Sequence, residues 1–120
     1  MDDRRKEQVE ALEVLVEFNE RLTKNMGIIA KELSGVRMDD TDNFLKAIVD
    51  AINWEIQVVN GTMELLNEGK ERVDKEKFNQ SIVALSNAIA GKDDAKMAEE
   101  FKKVLPVFEQ LGVVAKEVIQ

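Results

Sequence analysis

Apolar residues recur along this chain at intervals of three and four, and four stretches sustain that period long enough to predict helices. The first covers about residues 3–33. Leu12, Leu15, Leu22, Met26, Ile29 and Leu33 form its stripe, flanked by Val9, Val16, Phe18 and Ala30. Glu10, Glu13, Glu17, Glu20, Arg21, Lys24 and Lys31 hold the opposite side. Asn19 projects from the middle of the apolar face, where a polar side chain reads as a register-setting contact inside a bundle or as a ligand contact; the first is the simpler reading. Ser34-Gly35 supplies the stop, since glycine takes the left-handed C′ conformation without penalty.

The second stretch, about residues 42–68, has two apolar faces. At about 100° per residue, Leu45, Ile48, Val49, Ile52, Ile56, Val59, Met63 and Leu66 fall on one stripe. Ala47, Ala51, Trp54, Val58, Gly61 and Leu65 fall on a second, with Phe44 between them. Together they cover roughly 220° of the circumference, about twice the apolar face of an ordinary surface helix. Asp50, Asn53, Gln57 and Glu64 keep to the remaining arc. Either the rest of the chain covers both faces, or a partner covers one.

The third stretch, about residues 75–90, is short, with a narrow face of Phe78, Ile82, Leu85, Ala88 and Ile89. The fourth, about residues 94–119, repeats Met97, Phe101, Val104, Leu105, Phe108, Leu111, Ala115 and Ile119. Pro106 lies inside it and removes the hydrogen bond to the Lys102 carbonyl. Because the apolar period continues on both sides, it should kink this helix rather than end it. Thr41 or Asp42 is positioned to cap the second helix, Asp74 the third, and Asp93 or Asp94 the fourth. No strand-like alternation occurs, and the short links suit antiparallel neighbours. The expected fold is all-α: a single domain over residues 1–120, an antiparallel up-down-up-down four-helix bundle with a short third helix and a fourth kinked at Pro106.

The composition mainly excludes. A net charge of −7, from 17 basic and 24 acidic residues, argues against a nucleic-acid backbone or an anionic membrane as partner. Arg4-Arg5-Lys6 is the one short basic cluster and reads as a solvated helix start. No apolar run approaches a membrane span, and the beginning of the chain lacks the apolar core of a secretory signal; the expected location is cytoplasmic. With neither cysteine nor histidine there is no zinc-thiolate site, no thiol nucleophile and no Glu-x-x-His pair. Asp39, Asp40 and Asp42 lack the spacing, central glycine and terminal glutamate of a calcium loop, so capping is the better account. Glu13, Glu17 and Glu20 share a polar side and read as solvated charge, as do Glu99 and Glu100. The acids are expected to point outward. No metal, cofactor or catalytic residue is expected.

Three segments resemble a family of small uncharacterised helical proteins of Gram-positive bacteria. They are Ile48-Val49-Asp50-Ala51-Ile52-Asn53-Trp54, Gly91-Lys92-Asp93, and Val104-Leu105-Pro106-Val107-Phe108-Glu109. Ala51 stands where that family's pattern has glycine, and Lys103-Val104 replaces an aromatic-acidic pair. The resemblance implies a helical domain and brings no activity. In size, acidity and helix count the chain is also similar to flagellar and other secretion-export chaperones.

The function expected is a non-enzymatic interaction module, adaptor-like or chaperone-like, that binds a helical segment of another protein. The alternative is a structural homodimer joined through the second helix; a third reading is an acidic inhibitor of a nucleic-acid enzyme. The residues expected at the contact are Phe44, Ala47, Ala51, Trp54, Val58, Leu65, Val114 and Val118. A short third helix should also leave one end uncovered, either Met26, Ile29 and Leu33 against Phe44, Leu45 and Ile48, or Val113, Val114, Val118 and Ile119 overshooting the base; alternatively the fourth helix bends at Pro106 or Gly112 and folds back to close the gap.

Overall fold

In a computed structural model the chain forms helices α1 (Asp3–Leu33), α2 (Thr41–Leu66), α3 (Lys75–Ala90) and α4 (Asp94–Ile119). The structure describes residues 3–120; Met1 and Asp2, with which the expected domain begins, lie outside the described residues. The all-α bundle expected from the apolar period is the fold found. α4 runs unbroken through Pro106, whose missing N–H falls on the exposed side.

The helix ends show which residues stop and start each element. After α1, Gly35 takes φ 126° while Val36 donates to the Glu32 carbonyl at 3.0 Å, so Ser34-Gly35 is the stop. Asp74 and Asp93 cap α3 and α4, accepting from the amides of Lys77 at 3.1 Å and Lys96 at 3.3 Å. The start of α2 differs from expectation. Asp40 is its N-cap and makes no side-chain cap bond. Thr41 is buried instead; its Oγ1 accepts from the Met38 amide at 2.8 Å and donates to Glu32 Oε1 at 2.7 Å, so it ties the turn back to α1. At the third turn the left-handed residue is Lys92, φ 53°, whereas Gly91 is right-handed.

Neighbouring helices run antiparallel. At one end Arg5 is paired with Glu68 and Arg72 lies beside Glu117; at the other the Arg37 guanidinium forks onto Asp94 at 2.7 and 3.1 Å. α1 is the central helix, packed most extensively on α4 and next on α2. α3 rests on α4 alone, and α2 meets α4 only marginally. The helices therefore stand in the order α2, α1, α4, α3 rather than at the corners of a square, in a body of 51 × 24 × 19 Å.

The expected uncovered end is not found. Met26, Ile29, Leu33 and Ile48 are all buried, because α4 begins beside the α1–α2 turn at the Arg37–Asp94 fork. The α2–α3 link makes up for the short α3. The Asn67 amide clamps it, accepting from the Arg72 and Val73 backbone at 2.8 Å and donating to the Val73 carbonyl at 3.1 Å. Val73 is buried there and Lys70 and Arg72 reach Glu117, so the link itself covers the lower part of α4. At that base Val114 is buried and Val118 and Ile119 are half-buried; only Val113 of that set projects.

Candidate functional site

The deepest line on α2 keeps Ile48, Ile52, Val59 and Leu66 of the first stripe read from the sequence and adds Glu55 and Thr62, at i, i+4, i+7, i+11, i+14 and i+18. The rest of the first stripe and most of the second become flanks. On one flank Phe44, Ala51 and Val58 are half-buried, and Ala47 and Trp54 are exposed. Across from them on α1 lie Phe18 and Asn25, half-buried, and Arg21, exposed.

The rings of Phe18 and Trp54 meet edge to face, centroids 5.5 Å apart at 68°. Above that pair a shallow groove lies between the two helices, lined by Phe18, Arg21, Leu22, Asn25, Phe44, Ala47, Ile48 and Ala51. Trp54 keeps 36% of its surface in solvent, Val14 51% and Ile28 42%. Both valine and isoleucine lie on the same side of α1 as Arg21, seven residues from it in either direction. No helix covers this face, because α3 sits on the far side of α4.

Of the expected contact residues, Phe44, Ala47, Ala51, Trp54 and Val58 thus share one accessible flank. Leu65 does not: only 2% of it is exposed, so it is core rather than surface. Val114, at 3%, is likewise core. It lies at the bottom of a separate apolar groove between α3 and α4, with Phe78, Pro106, Val107 and Leu111. Val118 is half-buried at the base, away from the α1/α2 groove.

The expectation that all acids point outward fails at Glu55, which has no exposed surface. The Asn19 amide nitrogen donates to Glu55 Oε1 at 3.0 Å and to the Phe108 carbonyl at 3.0 Å, so one side chain of α1 joins α2 to α4. Glu55 Oε2 is buried with no hydrogen-bond partner. Burial pushes the carboxyl up to about 7, against the pull of the Asn19 bond in the other direction. Asn19 therefore fills the register role rather than a ligand role. Glu55 was readable from its place in the i, i+4, i+7 series between Ile52 and Val59. Thr62, buried in the same line, satisfies its hydroxyl on the Val58 carbonyl at 2.7 Å. Among the described residues no three acidic side chains converge so as to hold a metal ion, and Glu55 is sealed away from both grooves.

An all-α bundle with a continuous core, one buried polar junction and an uncovered two-helix face defines a small helical domain. The chain belongs to the DUF8042 family, a domain of unknown function, whose family model matches residues 10–113. No curated protein and no solved structure matches it.

Proposed function

We propose that this domain is a non-enzymatic protein-interaction module, of adaptor or export-chaperone type, that receives a helical segment of another polypeptide on its α1/α2 face. The supporting observation is the helix order. Placing α3 beyond α4 leaves the Phe18–Trp54 pair and the groove above it uncovered, with Val14 and Ile28 exposed alongside. The period of that face suits a helix. Phe44, Ala51 and Val58 recur every seven residues on α2 and Ala47 and Trp54 alternate with them, which is the spacing of a coiled-coil seam. The small side chains Ala47 and Ala51 allow close approach.

The resemblance to small helical proteins of Gram-positive bacteria makes the cytoplasm of such a cell the place to seek a partner. A photo-crosslinking side chain at Ala47, which is exposed, should capture a helical segment of another polypeptide, and Ala51→Arg should abolish the product without changing the helical circular dichroism. Equal cross-linking in both proteins, or none above background, would remove this reading.

A further inference from the structure

We infer that the groove between α3 and α4 is a binding site for a free aliphatic carboxylate, which lays its chain along α4 and sets its carboxyl group on Arg72 in place of Glu117. The site is separate from the α1/α2 face and independent of the reading of that face.

The groove has apolar walls and one cationic end. Val73, Phe78, Pro106, Val107, Leu111 and Val114 enclose a volume of about 330 Å³. Small-molecule sites begin at about that size, and are mostly apolar with a few fixed polar groups. From Val114 back to Pro106 the floor is about 12 Å long at 1.5 Å per residue, the span of a chain of roughly eight carbons. That volume over that length leaves a cross-section about 5 Å wide, which admits an extended chain but not a helix about 10 Å across.

Arg72 supplies the polar end, and its guanidinium is already held in place. Nη1 donates to the Leu66 and Glu68 carbonyls at 3.1 and 2.7 Å, which caps the end of α2. The other edge, Nε with Nη2, is one on which a guanidinium receives a carboxylate through two parallel bonds. Nε is buried and has no hydrogen-bond partner. Its one carboxylate neighbour among the described residues is Glu117, one turn beyond Val114 on α4. Glu117 Oε1 stops 3.6 Å from Nε, beyond bonding distance, and lies 3.5 Å from Lys70 Nζ. A buried donor left without an acceptor is costly. A carboxylate arriving along the groove satisfies it and releases the half-exposed Glu117 to Lys70.

The surrounding charges suit an anion. Lys70, Arg72 and Lys77 stand against Asp74 and Glu117, and Asp74 is engaged as the cap of α3. This local cationic excess occurs in a chain of net charge −7. A neutral chain end would leave the Arg72 edge unsatisfied, and an ammonium would be repelled by it.

NMR titration of the full chain with octanoate, octanol and octylamine tests this in wild type, Glu117→Gln and Arg72→Lys. Octanoate should shift the methyl signals of Val107, Leu111 and Val114 and bind at least tenfold more tightly than octanol; octylamine should not bind. Glu117→Gln removes the competing carboxylate, and should tighten octanoate at least threefold while leaving octanol unchanged. Arg72→Lys keeps the charge without the fork, and should weaken octanoate at least tenfold. If Arg72→Lys disturbs the link, the exposed Glu117→Gln still decides. Octanol bound as tightly as octanoate overturns the inference, as does an octanoate affinity unmoved by Glu117→Gln, or no methyl shift at the highest soluble concentration. A capped peptide with one glutamate between leucines that shifts these methyls when octanoate does not overturns the free acid as occupant.

Discussion

Asn19 on α1 and Glu55 on α2 face each other across the bundle interior, amide nitrogen 3.0 Å from carboxyl oxygen, with the other Glu55 oxygen unpartnered. The same amide nitrogen reaches the Phe108 carbonyl on α4, so the only buried acid among the described residues sits where three helices meet. Around it Leu15, Leu22, Ile52 and Val59 are apolar and closed to water. A charge at that point has lost its hydration and gained a single hydrogen bond.

Stability should therefore depend on pH through Glu55. Its carboxyl titrates near 4.5 when free and near 7 in the fold. Between those values the folded chain holds more proton than the unfolded one, so stability falls as pH rises from 4.5 through 7 and levels off above. The shift corresponds to a loss of about 3 kcal/mol. Urea denaturation of wild type and Glu55→Gln across that range checks it: the substitution should flatten this part of the profile and give the more stable protein at pH 8. Parallel profiles for the two proteins would show that Glu55 is not the group responsible.

Gly112 is constrained by this junction. A methyl group added there would stand 2.3 Å from Asn19 Oδ1, and Asn19 is held by two bonds and buried. Alanine favours a helix over glycine by about 1 kcal/mol, yet Gly112→Ala should destabilise the protein by roughly 2 kcal/mol, because Asn19 must leave its partners and strand a buried carboxyl. Thermal melts of Gly112→Ala in the wild-type and Asn19→Ala backgrounds separate the effects. In the second background the alanine should be neutral or stabilising; the same penalty in both would place the clash elsewhere.

Trp54 should matter less to the fold than its size suggests. With about a third of its surface in water and one ring contact to Phe18, Trp54→Ala should cost roughly 1–2 kcal/mol, well below the 3–5 kcal/mol of a fully buried aromatic. Loss of association should exceed loss of stability. Chemical denaturation reads the loss of stability, and cross-linking through Ala47 the loss of association. A stability loss as large as a core deletion would make Trp54 a packing residue.

Asn67 clamps the link after α2, beside the Arg72 guanidinium, which donates to the Leu66 and Glu68 carbonyls at 3.1 and 2.7 Å. Asn67→Ala removes three hydrogen bonds to the Arg72 and Val73 backbone and should cost roughly 2 kcal/mol. Hydrogen exchange should then rise first at Arg72 and Val73 and at the lower end of α4 near Glu117, which the link covers. Unchanged protection there would mean that Val73 burial alone holds the link.

The helices, their limits to within about two residues, and the cap at Asp74 were legible in the chain itself, with the cap of α4 narrowed to Asp93 or Asp94. So was the central role of Asn19. Each depends on neighbours a few residues away: a 3.6-residue period, a side-chain oxygen within reach of the next turn, a glycine with positive φ. The wide apolar arc of α2 was legible too, and it rightly signalled that more than one surface had to be accounted for. Which part of that arc turns inward was not. Both apolar stripes fit a core by period, and the line chosen joins four members of the first to a glutamate and a threonine, with Asn19 of α1 bridging that glutamate to the Phe108 carbonyl of α4. Leu65 and Val114 were taken for surface because their periods fit a flank as well as a core, and which of the two they become is decided by the helices packed alongside. The decision to stack α3 on α4 rather than beside α2 belongs to tertiary packing alone: a narrow apolar face such as that of Phe78, Leu85 and Ala88 can be buried on either neighbour, and in the fold it meets α4, with the rings of Phe78 and Phe108 5.7 Å apart. That choice leaves the α1/α2 face open to solvent.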